Sequence, residues 1–423
     1  MNTGTASTLA YIVVHYGEIA TKGSNRSFFV DSLGHSISEM CRPYVEARVT
    51  KLQGRLIVEC SREDVDKTVS ILSRVFGIAW YAPAEIIESD YSALLRVVSG
   101  ILVEHAKTGG QSFALVVRRA EKSGPMNSVE FARKLGEDCV SLTGLSVNLD
   151  APSVRVYVDV LKGKFLVYTS KMRGLQGLPV GVSGRVIHLL SGGVDSCLSA
   201  VLLMGRGCKP LYIHFYSAPE PEGYVAENIK PVLESLSRFE GTVRAVLVPF
   251  SVYQVYSLGK VDHLEPVFFR RFMRAVAERL CTIVGAKAVS FGDSIGQVAS
   301  QTLDNIACVD YGSRYPVLRP LLTYSKAQIL SLAQLYELKW VKPSEYRDCC
   351  SILSSRPQVR TPLDEVTEAW TKYDYGALTD QILEKSVLAT YSYFDGLLRL
   401  EDISSLQSKV GPIRRETGTH SRF

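Results

Sequence analysis

The chain has 423 residues, 46% of them hydrophobic, with 48 basic and 43 acidic side chains and a net charge of +5. That length supports two or three separate cores. No uncharged apolar run approaches the roughly eighteen residues of a membrane span, which excludes an integral helical membrane protein. The opening MNTGTASTLAYIVV has no basic segment before its apolar residues, unlike a secretory leader, so a cytoplasmic protein is expected. Nine cysteines, scattered and without CxxC spacing, exclude a secreted disulfide framework. The charge excess is too mild to establish a nucleic-acid partner, and its distribution must decide that question.

In chain order, YIVVHYG (residues 11–17) reads as a strand and EIATKGSN as a loop, with a helix capped by Ser24 or Asn25. RLIVEC (55–60) is a second strand, and REDVDKTVSILSRVFG an amphipathic helix closed by Gly77. This is a small α+β module. A helical pattern, YSALLRVVSGILVEHA, precedes the alternating strand QSFALVVRRAEK with its basic end. The helix SVEFARKLGEDCVSL and the strands SVRVYVDVLKG and KFLVYTSKM complete a second α+β module, with LKGK between the strands as a hairpin signal. RGLQGLPVGVSG (173–184) reads as a linker.

Beyond the linker the rhythm changes. VIHLL, PLYIHFY, VRAVLVPF and AKAVSFG alternate with helices expected to start near Asp195, Glu227, Glu265 and Gln297. Such alternation predicts an α/β domain with a doubly wound, mostly parallel sheet. Ligands bind such sheets at the carboxyl ends of the strands, here Ser191, Phe215, Phe250 and Gly292. The ALTDQILEKSVLATYSYFDGLLRLEDI stretch reads as helical, and GPIRRETGTHSRF as a basic tail.

The informative loop is SGGVDS, Ser191 to Ser196. Gly192 and Gly193 admit positive φ and close approach of a ligand to the backbone. A helix starting at Asp195 or Ser196 adds N–H donors and the positive dipole end, so strand, loop and helix form an anion cradle sized for phosphate. The lysine of the Walker loop is missing, which excludes that nucleotide-hydrolysing design.

SGGVDS resembles the PP-loop of ATP pyrophosphatases, which transfer AMP and release pyrophosphate. VVHYGEIATKGSNRSFF, LPVGVSGRV, FGDSIGQVASQTLDNI, LRPLLTYSKAQI and CSILSSRPQV follow in the order found in the tRNA 4-thiouridine synthetase (ThiI) family. The resemblance runs from about Tyr11 to about Arg360 and implies a ferredoxin-like domain (1–78), a THUMP RNA-binding domain (79–176) and a PP-loop adenylation domain (177–365). A C-terminal helical extension with the basic tail (366–423) follows. It implies ATP-dependent sulfurtransfer: a tRNA uridine (position eight) is adenylated at O4, and sulfur then displaces AMP.

Carried onto this sequence, the resemblance implies ATP contacts at Leu189, Leu190, Ser191, Gly192, Gly193, Val194, Asp195, Ser196, His214, Phe215, Arg270, Gly292 and Gln301. Asp195 would help orient Mg²⁺, with an N-cap as the plainer alternative; His214 alone would read as a core histidine, and Lys326 as either a catalytic or a solvated first-turn lysine. Cys350 matches the cysteine that meets the sulfur carrier, with Cys349 beside it and Arg347 and Arg356 near enough in sequence to lower a thiol pKa. For tRNA it implicates Lys22, Arg26, Arg118, Arg119, Lys122, Lys171 and Arg173, which would grip backbone phosphates by shape.

Two departures from the family pattern are visible. No cysteine follows Cys350, where many members carry a rhodanese domain, so a separate donor (a persulfide carrier or free sulfide) is expected. Pro266 and Phe269 stand where some archaeal members place iron–sulfur cysteines, so a cluster is not expected. A homodimer is compatible with the family and undecided by the residues. The alternatives are another PP-loop tRNA-modifying enzyme and a THUMP module whose PP-loop has lost catalysis.

Overall fold

A computed structural model describes residues 9–120, 126–340, 349, 353 and 358–410. Its first strand, β1 (Leu9–Tyr16), buries Ile12, Val13 and Val14 completely. Successive residues on a strand face opposite ways, so both faces of β1 are covered, which explains the unbroken apolar run. Helix α1 (Arg26–Cys41), strands β2 (Arg48–Leu52) and β3 (Arg55–Ser61), and helix α2 (Val65–Leu72) follow. Asn25 precedes α1 without a side-chain cap. Helix α2 stops at Leu72, short of the expected Gly77, because Val75 and Phe76 turn inward and are buried. Gly77, at φ +100°, instead turns the chain into β4.

Strand β4 (Ile78–Glu88) serves two layers. Its first half pairs with β1, Tyr16 opposite Ile78 and Tyr11 opposite Ala84. Its second half pairs with β8, Glu85 opposite Val167 and Glu88 opposite Lys164. After β4 come α3 (Tyr91–Lys107), β5 (Ser112–Arg119), α4 (Ser128–Thr143), β6 (Ser146–Val147), β7 (Val154–Leu161), β8 (Lys164–Tyr168) and the short β9 (Met172–Arg173). The strand order is β2-β3-β1-β4-β8-β7-β5-β6, with β9 on β4. Leu94, Val98 and Leu102 of α3 share a core with Leu135 and Cys139 of α4 and with Phe113 and Val156 of the strands. Val13, Ile57, Ala82, Leu161 and Leu166 form another core, joining β1 and β3 to β7 and β8 through β4. Leu178 closes this compact unit and Pro179 opens a second.

The second unit opens with β10 (Gly184–Leu189), α5 (Val194–Gly205) and β11 (Cys208–Tyr216). A short helix α6 (Pro221–Tyr224) runs through a π-helical turn into α7 (Lys230–Ser237). Then come β12 (Thr242–Pro249), α8 (Phe250–Ser257), α9 (Val267–Val284), β13 (Ala288–Ser290), α10 (Leu303–Asp310), β14 (Val317–Leu318) and α11 (Lys326–Leu335). The sheet order is β14-β13-β10-β11-β12-β15-β16, with every pair from β14 to β12 parallel. The doubly wound reading therefore holds; near Gln297 only a 3₁₀ turn forms (Ala299–Gln301), and the α-helix α10 begins at Leu303 behind the Thr302 cap.

The C-terminal segment departs from expectation. Helices α12 (Leu363–Lys372) and α13 (Tyr375–Glu384) are present, but Val387–Ser392 and Leu398–Asp402 are strands, β15 and β16, before a last turn of helix, α14 (Leu406–Val410). β15 pairs antiparallel with β12, Val387 opposite Leu247 and Ser392 opposite Thr242. The β-branched and aromatic run VLATYS suits that sheet edge, and Asp395-Gly396 between the strands was a hairpin signal hidden in an apolar run. Tyr375 packs among Tyr253, Phe268 and Phe272, which ties this segment into the second unit's core. The basic tail lies outside the described residues. No described helix is long and apolar enough to cross a membrane.

Candidate active site

Where β10 ends, Leu190 donates from its N–H to the Ile213 carbonyl at 2.9 Å, and the chain then turns through Gly192 at φ +84°. Side chains of the loop itself fasten it. Ser196 Oγ donates to the Gly193 carbonyl (2.9 Å) and accepts from the Ser191 N–H (3.2 Å), while Ser191 Oγ accepts from the Gly193 N–H (3.3 Å). Gly193 is the N-cap of α5, so Asp195 lies within the first turn and is not the cap. The first-turn N–H groups have no acceptor within the helix and lie at its positive end.

Gly292 lies against the backbone of α5. A Cβ there would lie 2.8 Å from the Ser196 N and Cα atoms. The bare backbone thus lets the loop after β13 press against the start of α5, and both line one cavity.

That cavity, about 470 Å³, sits at the carboxyl ends of β10, β11 and β13. Every expected ATP residue lines it except Gly192, Gly193 and Val194, which form the turn behind it; Val194 is buried. His214 is nearly fully buried at the wall, with Nδ1 2.7 Å from the Leu190 carbonyl. A carbonyl only accepts, so Nδ1 carries a proton, while Nε2 stands 3.0 Å from the Tyr224 hydroxyl, which can donate or accept. The imidazole is thus oriented by a tyrosine that sequence reading missed.

Arg270 also reaches the wall, where its guanidinium is engaged by Asp293. Arg319 donates from Nε to the other Asp293 oxygen (2.8 Å) and grips Asp310 bidentately at 2.6 and 2.7 Å. Gln301 Nε2 reaches Asp293 at 3.5 Å. Burial pushes the Asp293 pKa up, yet Arg270 and Arg319 outweigh it and hold the carboxyl below its ordinary value. Asp293, Arg319 and Asp310 were not singled out in the sequence. Asp293 sits inside the quoted FGDSIGQ stretch, which was the only signal.

At the rim, Lys326 and Asp195 meet across 131 positions of sequence. The Lys326 ammonium donates to both Asp195 oxygens, at 2.8 and 2.9 Å, and Gln297 Nε2 adds a third bond at 2.7 Å. Lys326 is the first residue of α11, placed by a capping box of Ser325 and Gln328. Cys349 also lines the cavity, and its thiol donates to the Phe215 carbonyl at 3.3 Å. Cys350, Arg347 and Arg356 lie outside the described residues. Pro266 and Phe269 share the wall with Cys349. Neither has a donor atom for iron, so these residues do not fit a cluster.

The basic residues expected to grip RNA all belong to the first unit. Arg26, Arg118 and Arg173 are exposed. Arg26 donates to the Tyr16 hydroxyl at 3.2 Å, and Lys22 pairs with Glu18 at 3.4 Å. Arg119 is half-buried, and Lys122 lies outside the described residues. Lys171 is turned inward: its ammonium faces the rings of Tyr157, Trp80 and Tyr168, at 3.9, 4.9 and 5.7 Å. Burial, then the nearby Arg118, lowers its pKa. Its structural part is to knit β4, β7 and β8 together by cation–π contact.

A glycine turn at a parallel-strand end, a cavity flanked by strand termini and a preceding α+β unit define a PP-loop nucleotide-binding enzyme of the THUMP-bearing kind. Family models agree: "ThiI ferredoxin-like domain" matches residues 11–82, "THUMP domain" 88–170 and "Thiamine biosynthesis protein (ThiI)" 181–375. A probable tRNA sulfurtransferase of Caldanaerobacter subterraneus subsp. tengcongensis is 31% identical over 379 residues, 89% of this chain and 98% of that one. Its counterpart in Brevibacillus brevis is 33% identical over 354 residues, covering 83% and 88%. A crystal structure of a 4-thiouridine synthetase–RNA complex with bound ATP superposes with a TM-score of 0.79 at 25% identity, covering 90% of this chain and 99% of that one. The chain belongs to the ThiI family of tRNA sulfurtransferases.

Proposed function

We propose that this protein converts a uridine of tRNA, at position eight, to 4-thiouridine at the expense of ATP. The uracil O4 attacks the α-phosphorus, the bond to the β-phosphate oxygen breaks, and pyrophosphate leaves as the N3 proton is lost. A sulfur nucleophile then adds at C4, and the C4–O bond breaks with release of AMP. The carrying observation is that Ser191, Asp195 and Ser196 of the loop line one cavity with Cys349 of the sulfur-handling segment, and that Lys326 pairs with Asp195 there.

The roles follow from the chemistry of the groups. Ser191, Ser196 and the first turn of α5 offer donors to the departing diphosphate. Lys326 neutralises charge that develops there, and Asp195 sets its position. A Mg²⁺ ion carried on the phosphates would spread the same charge, and Asp195 is the carboxylate at the rim that fits it. His214, held by Leu190 and Tyr224, and Phe215 border the nucleotide. Cys349 donates its thiol proton to the Phe215 carbonyl; Cys350, the cysteine that the family pattern sets against the sulfur carrier, is assigned to meet a separate donor. The exposed arginines of the first unit supply RNA backbone contacts.

The test uses unmodified tRNA, labelled ATP and sulfide. Pyrophosphate release should require tRNA, and near-ultraviolet absorbance of thiouridine should grow with it; release that ignores tRNA would remove the proposal. Cys350→Ser should abolish thiolation from a persulfide donor and leave pyrophosphate release intact.

A further inference from the structure

The loop joining β13 to α10 faces two ways. Inwardly it lines the cavity with Gly292, Asp293, Gln297 and Gln301. It is pinned from several sides: Ile295 N–H to the Leu322 carbonyl (3.0 Å), Gly296 N–H to Gln301 (3.0 Å), Gln301 N–H to Val298 (2.9 Å) and Ser294 Oγ to Tyr324 (2.7 Å). Yet this fixed loop holds Val298 51% exposed, and Leu303, just beyond it, is 65% exposed. Val359, 64% exposed, is brought to the same turn because Thr302 Oγ donates to its carbonyl at 2.7 Å. Asn305 fixes this approach, donating to the Ala299 and Gln358 carbonyls at 2.8 and 2.9 Å.

Single exposed apolar side chains are ordinary. Here Val298 and Leu303 follow each other on a hydrogen-bonded turn, Val359 is joined to it through Thr302, and Val298 also lines the cavity wall. Its neighbour Gln297 donates to Asp195, so the apolar surface begins one residue from the charged pair.

We infer that Val298, flanked by Leu303 and Val359, is the seat of the extruded target pyrimidine, with Val298 against the face of the ring. This rests on the sulfurtransferase reading. In that reaction O4 must come within about 3–3.5 Å of the α-phosphorus, so the base has to enter at the rim and not at the cavity floor. A base taken out of an RNA stack needs an apolar surface for its face and polar groups for its edge. The Asp195–Lys326 side is charged and offers no such surface. The Val298 side offers it, with the Gln297 amide at the edge. A docking protein that delivers sulfur would need about 800 Å² of its own surface covered, far more than these few side chains provide.

The experiment binds the full-length protein to tRNA carrying 4-thiouridine at the target position, a zero-length photoprobe, without ATP, and maps the adduct after near-ultraviolet irradiation. Adducts on residues 295–303 or on Val359 are expected; adducts confined to the His214–Phe215 wall or to the first unit would overturn the inference. Because this readout needs no turnover, it is separate from the reading of the activity, which fails if the wild type releases no tRNA-dependent pyrophosphate. Val298→Asp should raise the KM for tRNA in pyrophosphate release roughly tenfold, with the KM for ATP within about twofold. An unchanged tRNA KM in Val298→Asp overturns the seat. So does a defect seen only when a carrier protein supplies sulfur and never with sulfide, which would make the rim a protein dock.

Discussion

Asp159 in the first unit and Asp293 in the second are each 2% exposed and each lie near two arginines, yet burial has opposite outcomes. Burial raises the Asp159 pKa, and Arg55 and Arg118 lower it without overcoming that effect. At Asp293 the same burial is overcome and the pKa falls. Contact makes the difference. Arg55 stands 3.4 Å from Asp159 and His15 3.9 Å, whereas Arg270 and Arg319 donate directly to both Asp293 oxygens. The Asp159 group lies between strand layers, with His15 stacked on Trp80 at 4.0 Å. The Asp293 group lies beside an open cavity. Charge in the first unit fastens strands; charge in the second borders a cavity.

The largest effect should come from the rim. Asp195→Ala or Lys326→Ala is expected to cut tRNA-dependent pyrophosphate release by roughly 10²–10³-fold, with tRNA affinity in a filter-binding assay unchanged. A parallel loss of tRNA binding would break the separation of roles between the units. Next is Asp293→Asn, which leaves Arg270 and Arg319 facing a neutral partner and should cost about 3–5 kcal/mol in denaturant unfolding. Asp159→Asn should cost far less; equal losses would erase the contrast. The sign with pH sharpens it. The lowered Asp293 pKa means that its stabilisation is present above the unfolded value of 3.8 and is lost as pH falls through the folded one. Asp159, raised, is least favourable once pH exceeds its folded pKa, and its penalty disappears in acid.

Gly292→Ala drives a methyl into the α5 backbone and should cost roughly 1–3 kcal/mol, with a raised KM for ATP because the cradle shifts. A wild-type melting temperature would contradict the packing. The smallest effect concerns His15, whose pKa falls to about 3 through burial and then the cations Arg55, Arg118 and Lys171. A lowered histidine pKa stabilises the neutral form above the unfolded value near 6.5, and that contribution is lost progressively as pH drops towards 3. His15→Phe keeps an aromatic face for Trp80 and should flatten the stability–pH curve between those limits; an unchanged acid limb would show that His15 does not titrate there.

The glycine turn was legible because its chemistry is local: Ser191 to Ser196 bond to one another within one loop. Parallel strands were legible from apolar runs separated by helical ones. Asp293 was not singled out, because Arg270 and Arg319 reach it from 23 and 26 positions away. The three rings around Lys171 were not legible, because nothing in YTSKMRG reveals Tyr157, Trp80 and Tyr168. The Asp195–Lys326 pair stands between these cases: each residue was singled out, but their contact follows from how α11 is placed. At the C-terminal strands, Asp395-Gly396 marked the turn, yet apolar density suggested helix where an unfilled sheet edge decided the outcome.

That edge has a practical consequence. Without β15, the outer N–H and C=O groups of β12 would be bared along Thr242–Leu247, an invitation to intermolecular strand pairing. The outermost strand, β16, carries Arg399, Glu401 and Asp402, side chains that discourage such stacking. Trimming the polypeptide after residue 375, where the family match stops, should therefore yield a fragment that precipitates even though its catalytic loop is intact.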